Sequence, residues 1–187
     1  MEGVTLIRAL KIYPDQILLG TAEPVVEFDQ ALAELAEEMV ETCRRYDDAL
    51  GLAAPQLGIN KRIVVVQTDI TTHEYKVLVN PSWQQADEKV SQFEGIEGCL
   101  SLPGMQVKVK RHGAITVHAQ TVNREPVEFS SVGLLARVIQ HECDHLEGKV
   151  IIDYLPRVSR SIQLTKFLKA RTLIRRKVRA QLREQYA

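Results

Sequence analysis

The sequence predicts an α+β fold, in which helices flank a region of strands. Apolar residues recur at three- and four-residue steps in residues 29–46 and again in residues 130–148, a spacing typical of helices. Segments rich in β-branched residues fill much of the region between them, which indicates strands. Because the strands follow one another without alternating with helices, the pattern favours an α+β arrangement.

The size and composition of the chain suit one globular domain. Its 187 residues are expected to form a single domain, residues 1–187, and the charged fraction of 26 % is ordinary. No apolar run approaches the roughly 20 residues of a membrane span, and the N-terminus lacks a signal-peptide pattern. Three cysteines without framework spacing fit a reducing compartment. We therefore expect a cytoplasmic protein with no membrane association.

The elements before the second helix follow in a simple order. An amphipathic helix over residues 29–46 precedes two strands that a polar connection can join as a hairpin. A polar stretch then predicts a surface loop, and alternating apolar residues predict further strands. In chain order these are strands at 62–67 and 75–79, the loop at 84–93, and strands at 107–109, 114–120 and 126–129.

The second helix has clear sequence boundaries. Either Ser130 or Ser131 can cap its N-terminus, and Gly148 can stop its C-terminus. After it, residues 150–154 are expected to be extended, and residues 159–185 to form a basic C-terminal helix.

This second helix carries the strongest chemical motif in the chain. His141 and His145 are four residues apart, so they lie on one helix face, where both imidazoles can reach one metal ion. Glu142 is turned away from that face and can stand beside the metal without binding it, where a general base for the attacking water belongs. The alternative interpretation is a helix with two surface histidines.

A catalytic metal site of this kind commonly has three protein ligands, so a third must come from elsewhere. In zinc endopeptidases it follows the motif, as a Glu on a later helix or as a later His, but here Ile151 occupies the position of that His and downstream acidic residues are scarce. Cys143 lies on nearly the opposite side of the helix from His141. The better candidate is Cys99, at a predicted strand end, although a buried structural cysteine would look the same.

The zero net charge of the chain hides an asymmetry. Residues 157–187 contain ten Lys or Arg and one acidic residue, so this segment carries +9 and the remainder carries −9. A basic helix on an acidic body is either a binding surface for nucleic-acid phosphates or a solvated helix.

Three strings, taken together and in this order, resemble the peptide deformylase family. They are ALGLAAPQ at 49–56, EGCLS at 97–101 and HECDH at 141–145, and nearly the whole chain fits the resemblance. The resemblance implies a small α+β domain whose central motif helix is wrapped by antiparallel strands, with a C-terminal helix. It also implies a metal-dependent hydrolase that removes the N-terminal formyl group from the formyl-methionine of nascent polypeptides. In bacterial relatives the C-terminal helix docks near the ribosomal exit tunnel, so the ribosome is an expected partner.

The resemblance also assigns roles to individual residues. Cys99, His141 and His145 would bind one divalent metal ion per chain; Fe(II) is favoured, and Zn(II), Ni(II) and Co(II) are also accepted by such a set. Glu142 would take a proton from the attacking water and pass it to the leaving amine. The Gln56 side chain and the Leu100 backbone N–H would stabilise the negative charge on the formyl oxygen. The residues implied to bind substrate are Leu50, Gly51, Glu97, Leu134 and Val138.

Two residues depart from the family pattern. Ala49 replaces the first glycine of the first string and would be mildly strained if that position needs a positive φ. Arg137 stands where the family usually presents an apolar residue to the methionine pocket, and we expect it at the pocket rim with its charged head in solvent. Asp144 and Arg111 are expected to form a structural ion pair.

Two other functions compete with the hydrolase at this level. One is a zincin-like endopeptidase, in which Cys99 would not bind metal. The other is an RNA- or ribosome-binding protein with a structural metal site, which would need neither Glu142 nor Gln56.

Overall fold

A computed structural model describes residues 8–46, 49–69, 71–86 and 92–185, and it describes side chains only as far as residue 173. Within these residues it confirms the α+β class. The strands are β1 (Gly51–Ala53), β2 (Ile63–Asp69), β3 (Glu74–Gln85), β4 (Gln92–Gly98), β5 (Gln106–His112), β6 (Ala114–Gln120) and β7 (Pro126–Val132). The helices are α1 (Gln30–Arg44), α2 (Gly133–Leu146) and α3 (Arg157–Gln185).

The strands form two antiparallel sheets. Five strands make the larger sheet in the order β1-β2-β3-β6-β7, and β4 pairs with β5 in a separate two-stranded sheet. The predicted hairpin is confirmed, because β2 and β3 pair antiparallel with Ile63 opposite Val79. The separate β4–β5 hairpin matters most for function, since β4 ends at Gly98, immediately before Cys99.

The larger sheet lies between α1 and α2, and the alternation of strand side chains explains why. Val64 and Val66 of β2 pack with α2 residues such as Ile139, while Ile63 and Val65 pack on the other face with α1 residues such as Met39. Burial of such a side chain contributes about 1.5–3 kcal/mol. The apolar run of β2 is therefore buried on both faces, and it fixes α2 against the sheet.

A third apolar cluster supports the β4–β5 hairpin. Val107 and Val109 of β5 pack against Ile151 and Ile152, and the side chains of Leu164 and Phe167 on α3 cover part of this cluster. The hairpin is thus held from one side by the segment after α2 and by the C-terminal helix. In the described part of the chain, no helix combines the length and apolarity that a membrane span requires.

The predicted start of α2 is wrong. Ser130 and Ser131 both lie in β7, where they pair with Thr116 and Ile115 of β6. The helix begins at Gly133, and Val132 precedes it without a side-chain cap. The C-terminal end of α2 is close to the predicted stop at Gly148, since α2 ends at Leu146 and Gly148 has a φ of +69°.

Two further segments differ from expectation. Residues 150–154 are not extended, because Ile151–Tyr154 form a short 3-10 helix. The cause is local: the Asp153 carboxylate accepts a hydrogen bond of 2.8 Å from the Val150 backbone N–H, which favours a turn. The predicted loop at 84–93 is shorter at both ends, where β3 reaches Gln85 and β4 starts at Gln92; residues 87–91 lie outside the described residues.

Candidate active site

Two elements that are distant in sequence bring the three predicted ligands together. His141 and His145 project from one face of α2, with ring centroids 5.2 Å apart. Cys99 follows β4, and its Sγ atom lies 3.3 Å from Nε2 of His145. One ligand atom from each of the three residues lies within 4.8 Å of the others. Cys99 therefore joins the two histidines, as expected, and Cys143 does not.

The electrostatics of this group favour a thiolate at Cys99. Burial alone would raise the pKa of the thiol, but His145 and His141 outweigh it and hold that pKa well below its ordinary value. Thiolate is the form of cysteine that binds metal. Cys99 can therefore serve as a metal ligand in the form that binding requires.

The spacing of the three groups fits a metal ion. Metal–sulfur bonds of about 2.3 Å and metal–nitrogen bonds of about 2.0–2.1 Å in tetrahedral geometry place a sulfur and a nitrogen ligand roughly 3.5–3.6 Å apart. The distance between Cys99 Sγ and His145 Nε2, 3.3 Å, is close to this separation. Among the described residues, Oε2 of Glu142 is buried with no hydrogen-bond partner, as expected for a carboxylate that serves a water or substrate in the site.

Glu97 orients the His141 ring through a hydrogen bond to Nδ1, the ring nitrogen that faces away from the candidate metal position. Its Oε2 atom lies 2.9 Å from Nδ1 of His141, so a proton on Nδ1 donates to the carboxylate and leaves Nε2 to face the site. Burial would raise the pKa of Glu97, but hydrogen bonds from His141 and Arg111 outweigh it and lower that pKa to about 2. The sequence placed Glu97 among the substrate-binding residues. It lies in the wall of the cleft, and its carboxylate accepts hydrogen bonds from Arg111, Arg137 and His141.

Glu142 is buried on the side of α2 next to β1. A Cβ atom at Gly51 would lie only 2.7 Å from Oε1 of Glu142 and 2.8 Å from Cγ1 of Val138. Glycine at position 51 therefore makes room for the candidate base itself, a reason that the sequence did not reveal. Burial raises the pKa of Glu142, which strengthens it as a proton acceptor.

The side-chain amide of Gln56 points toward Cys99. It lies in a short 3-10 helix, Ala54–Leu57, and its Oε1 accepts a hydrogen bond of 2.8 Å from the Ala53 backbone N–H. Its Nε2 lies 3.3 Å from Ser101 Oγ and 3.7 Å from Cys99 Sγ. The amide nitrogen is thus fixed beside the candidate metal ligands, as a donor to a developing negative charge requires.

A cleft of about 880 Å³ opens onto this group. Its walls include Gln56, Leu100, His141 and Glu142 together with the residues expected to bind substrate, namely Leu50, Gly51, Glu97, Leu134 and Val138. The structure adds wall residues that the sequence analysis missed, among them Ile12, Ile96 and Met105. Nothing in their local sequence marks them, because only folding brings these distant segments to one cleft.

The prediction for Arg137 is wrong. Its head is not in solvent: the residue is 6 % exposed, and its Nη1 donates to Glu97 Oε1 at 2.6 Å and to the Val109 carbonyl at 3.0 Å.

The expected strain at Ala49 is absent, since Ala49 is not among the described non-glycine residues with a positive φ. The predicted ion pair between Arg111 and Asp144 is confirmed, at 2.5 Å.

An α+β fold that aligns a thiolate, two imidazoles and a buried carboxylate along one cleft places the protein among the metal-dependent hydrolases. Comparison with known proteins identifies the family. The family model for polypeptide deformylase matches residues 7–161. The chain belongs to the polypeptide deformylase family.

Individual relatives agree along most of their length. The chain is 37 % identical to the peptide deformylase of Thermodesulfovibrio yellowstonii over 86 % of this chain and 96 % of the relative. It is 39 % identical to that of Pseudomonas aeruginosa, over 79 % and 86 % respectively. The crystal structure of a peptide deformylase from Legionella pneumophila superposes with a TM-score of 0.82 at 36 % identity, covering 91 % of this chain and 99 % of that one.

Proposed function

We propose that Cys99, His141 and His145 hold the catalytic metal of this deformylase and that Glu142 is its general base. The enzyme removes the formyl group from the N-terminus of formyl-methionyl nascent polypeptides. The observation that carries the site assignment is the convergence of three ligand atoms within 4.8 Å beside a buried carboxylate. A divalent ion bound there would acidify a water molecule and polarise the formyl carbonyl.

In the proposed reaction, Glu142 moves the proton. It accepts a proton from the water that attacks the formyl carbon, and it later gives that proton to the methionine nitrogen as the C–N bond breaks. The products are formate and a free amine. The burial that raises the pKa of Glu142 suits it to both steps, because it holds a proton more readily than an exposed glutamate.

The surrounding residues position the substrate. We assign the apolar side chains of Leu134 and Val138, one turn apart on α2 and both in the cleft wall, to contact with the methionine side chain. The formyl oxygen gains negative charge as water adds, and we assign its stabilisation to the Gln56 amide and the Leu100 backbone N–H.

Replacing Gln56 with alanine should lower kcat roughly 100- to 1000-fold, since one donor to the developing charge is lost. The metal content should stay at one ion per chain, because Gln56 is not a ligand. Steady-state rates on a formyl-Met peptide, with metal analysis of the same samples, measure both. Gln67→Ala is the matched control, since Gln67 is also a buried glutamine but lies on β2, outside the cleft wall. A rate for Gln56→Ala within about threefold of wild type would remove Gln56 from the mechanism.

The identity of the metal is a separate proposal. One thiolate and two imidazoles accept Fe(II), Zn(II), Ni(II) or Co(II), and affinity order alone does not choose among them. We propose Fe(II), on the likeness of the site strings to the deformylase family. Anaerobic purification followed by elemental analysis tests this, and a majority of another metal in fully active enzyme would refute it. Action on nascent chains also supports a cytoplasmic location.

We further propose that the basic C-terminal helix α3 binds the ribosome. Support comes from the +9 charge of residues 157–187 and from the affinity of clustered Lys and Arg for RNA phosphates. Side chains beyond residue 173 lie outside the described residues, so this proposal rests on sequence charge.

Deleting residues 171–187 should weaken ribosome binding in a salt-dependent way. The segment carries six Lys or Arg, so full engagement would contribute up to about four to the slope of log affinity against log salt concentration. Co-sedimentation at several salt concentrations measures the slope. A full-length variant with those six residues changed to Gln separates charge from helix length. Unchanged binding by both variants would exclude residues 171–187 as the contact.

A further inference from the structure

The metal ligands belong to two structural units that must be held in register. His141 and His145 lie on α2, which packs on the five-stranded sheet, whereas Cys99 follows the separate β4–β5 hairpin. A small sliding of the hairpin along α2 would move the thiolate away from the imidazoles. Groups that bridge the two units therefore control the geometry of the site.

Arg137 bridges these units one helical turn before His141. Its Nη1 donates to Glu97 Oε1 on β4 and to the Val109 carbonyl on β5, and its Nη2 donates to the Phe93 carbonyl on β4 at 2.9 Å. Its guanidinium carbon also lies 4.5 Å from the centre of the Phe93 ring. A single side chain of α2 is thus bound to both strands of the hairpin.

The hairpin has a gap that admits this side chain. Gly95 stands opposite Val109 in the β4–β5 register. A Cβ atom at Gly95 would lie 2.8 Å from Cζ of Arg137 and 2.9 Å from its Nη2. Any larger residue at position 95 would therefore displace the guanidinium.

Glu97 connects Arg137 to the metal site. The Oε1 atom of Glu97 accepts hydrogen bonds from Arg137 Nη1 and Arg111 Nε. Its Oε2 atom accepts hydrogen bonds from Arg111 Nη2 and His141 Nδ1. We propose that Arg137 is a positioning residue, which locks the hairpin and the Glu97 carboxylate against α2 so that Cys99 and His141 meet the same cation. This inference rests on the proposed metal site, and it gives a buried arginine of the cleft wall a role apart from substrate contact.

The decisive variants remove or displace the guanidinium. Arg137→Met keeps much of the side-chain volume and loses every bond to the hairpin, whereas Arg137→Lys keeps the charge but not the fork of donors. Gly95→Ala keeps the arginine and pushes its head aside. Arg62→Met is the matched control, because Arg62 is mostly buried and pairs with Glu147 at the end of α2 but does not touch Glu97.

The first measurement is the release of Zn(II) from loaded protein into a coloured chelator. We expect Arg137→Met to release the metal about 10-fold faster than wild type, because loss of a group that orients a metal ligand weakens metal binding by at least that factor. The increase in release rate should be smaller for Arg137→Lys and Gly95→Ala. Arg62→Met should match wild type. The second measurement is the rate on a formyl-Met peptide per bound metal, where kcat should fall about 10-fold and KM should stay within about twofold.

The outcomes separate the two proposals. Wild-type release rates in Arg137→Met and Gly95→Ala, or equally fast release from Arg62→Met, would overturn the positioning role. A rise in KM with unchanged kcat and unchanged metal release would also overturn it, because Arg137 would then act on substrate. If loaded wild-type enzyme failed to hydrolyse the peptide, the proposed function would fail, and metal release would still decide the role of Arg137. Should Arg137→Met not fold, Gly95→Ala and Arg137→Lys give the same test.

Discussion

Enzyme in which Glu142 is replaced by alanine is expected to keep its metal and lose nearly all turnover. Glu142 is buried beside the ligands, but its carboxylate is not one of the converging ligand groups. Loss of a positioned acid–base group typically costs about 100- to 10,000-fold in rate. We therefore expect kcat to fall by that amount while elemental analysis still finds one ion per chain.

Two further variants sharpen this experiment. Glu142→Gln keeps the shape of the side chain but cannot take the proton, so it should be as inactive as the alanine variant. Glu147→Gln changes an exposed glutamate just beyond the end of α2 and should retain wild-type activity. If Glu142→Gln retained more than about a tenth of the wild-type kcat, another group would have to be the base.

Cys99→Ala is expected to lose the metal itself. In the proposed site the thiolate is one of three ligands and carries the negative charge of the set. Structural zinc sites in zinc-finger peptides bind with apparent free energies of about 10–16 kcal/mol, so loss of one ligand in three should weaken binding on the order of 100- to 10,000-fold. Dialysis against a weak chelator, followed by elemental analysis, should recover metal from wild type and almost none from Cys99→Ala.

The other two cysteines provide controls within the same chain. Cys143 lies on α2 and Cys43 on α1, and burial raises the pKa of each thiol to about 12, so neither supplies a thiolate near neutral pH. Cys143→Ala and Cys43→Ala should keep one metal ion per chain. Full metal retention by Cys99→Ala would instead support the endopeptidase type of site, in which this sulfur plays no part.

The features of the fold and the site that depend on local sequence periodicity could be predicted from the sequence. His141 and His145 were found because a spacing of four residues places them on one helix face whatever the rest of the chain does. The β2–β3 hairpin was found because its strands are adjacent and rich in β-branched residues. Cys99 was the better remaining candidate for the third ligand, and the family resemblance supported it and added Gln56. The proximity of both residues to the histidines depends on folding across more than 40 residues.

Features that depend on tertiary contacts were missed. Ser130 and Ser131 look like helix caps, but pairing with β6 extends β7 through them. Arg137 looked like a rim residue because a long cationic side chain usually keeps its head in water. Its true position depends on Gly95, Glu97 and Val109, which come from two other strands, and no local pattern indicates that they form a cavity for a guanidinium.

The most direct test of the metal site is a crystal structure of the metal-loaded protein with anomalous diffraction measured at the metal edge. One strong peak per chain is expected, within about 2.0–2.4 Å of Cys99 Sγ, His141 Nε2 and His145 Nε2, with an open fourth position facing the cleft. A peak bound by other residues, or one at the two histidines with the Cys99 sulfur out of bonding range, would contradict the proposed centre and the mechanism built on it.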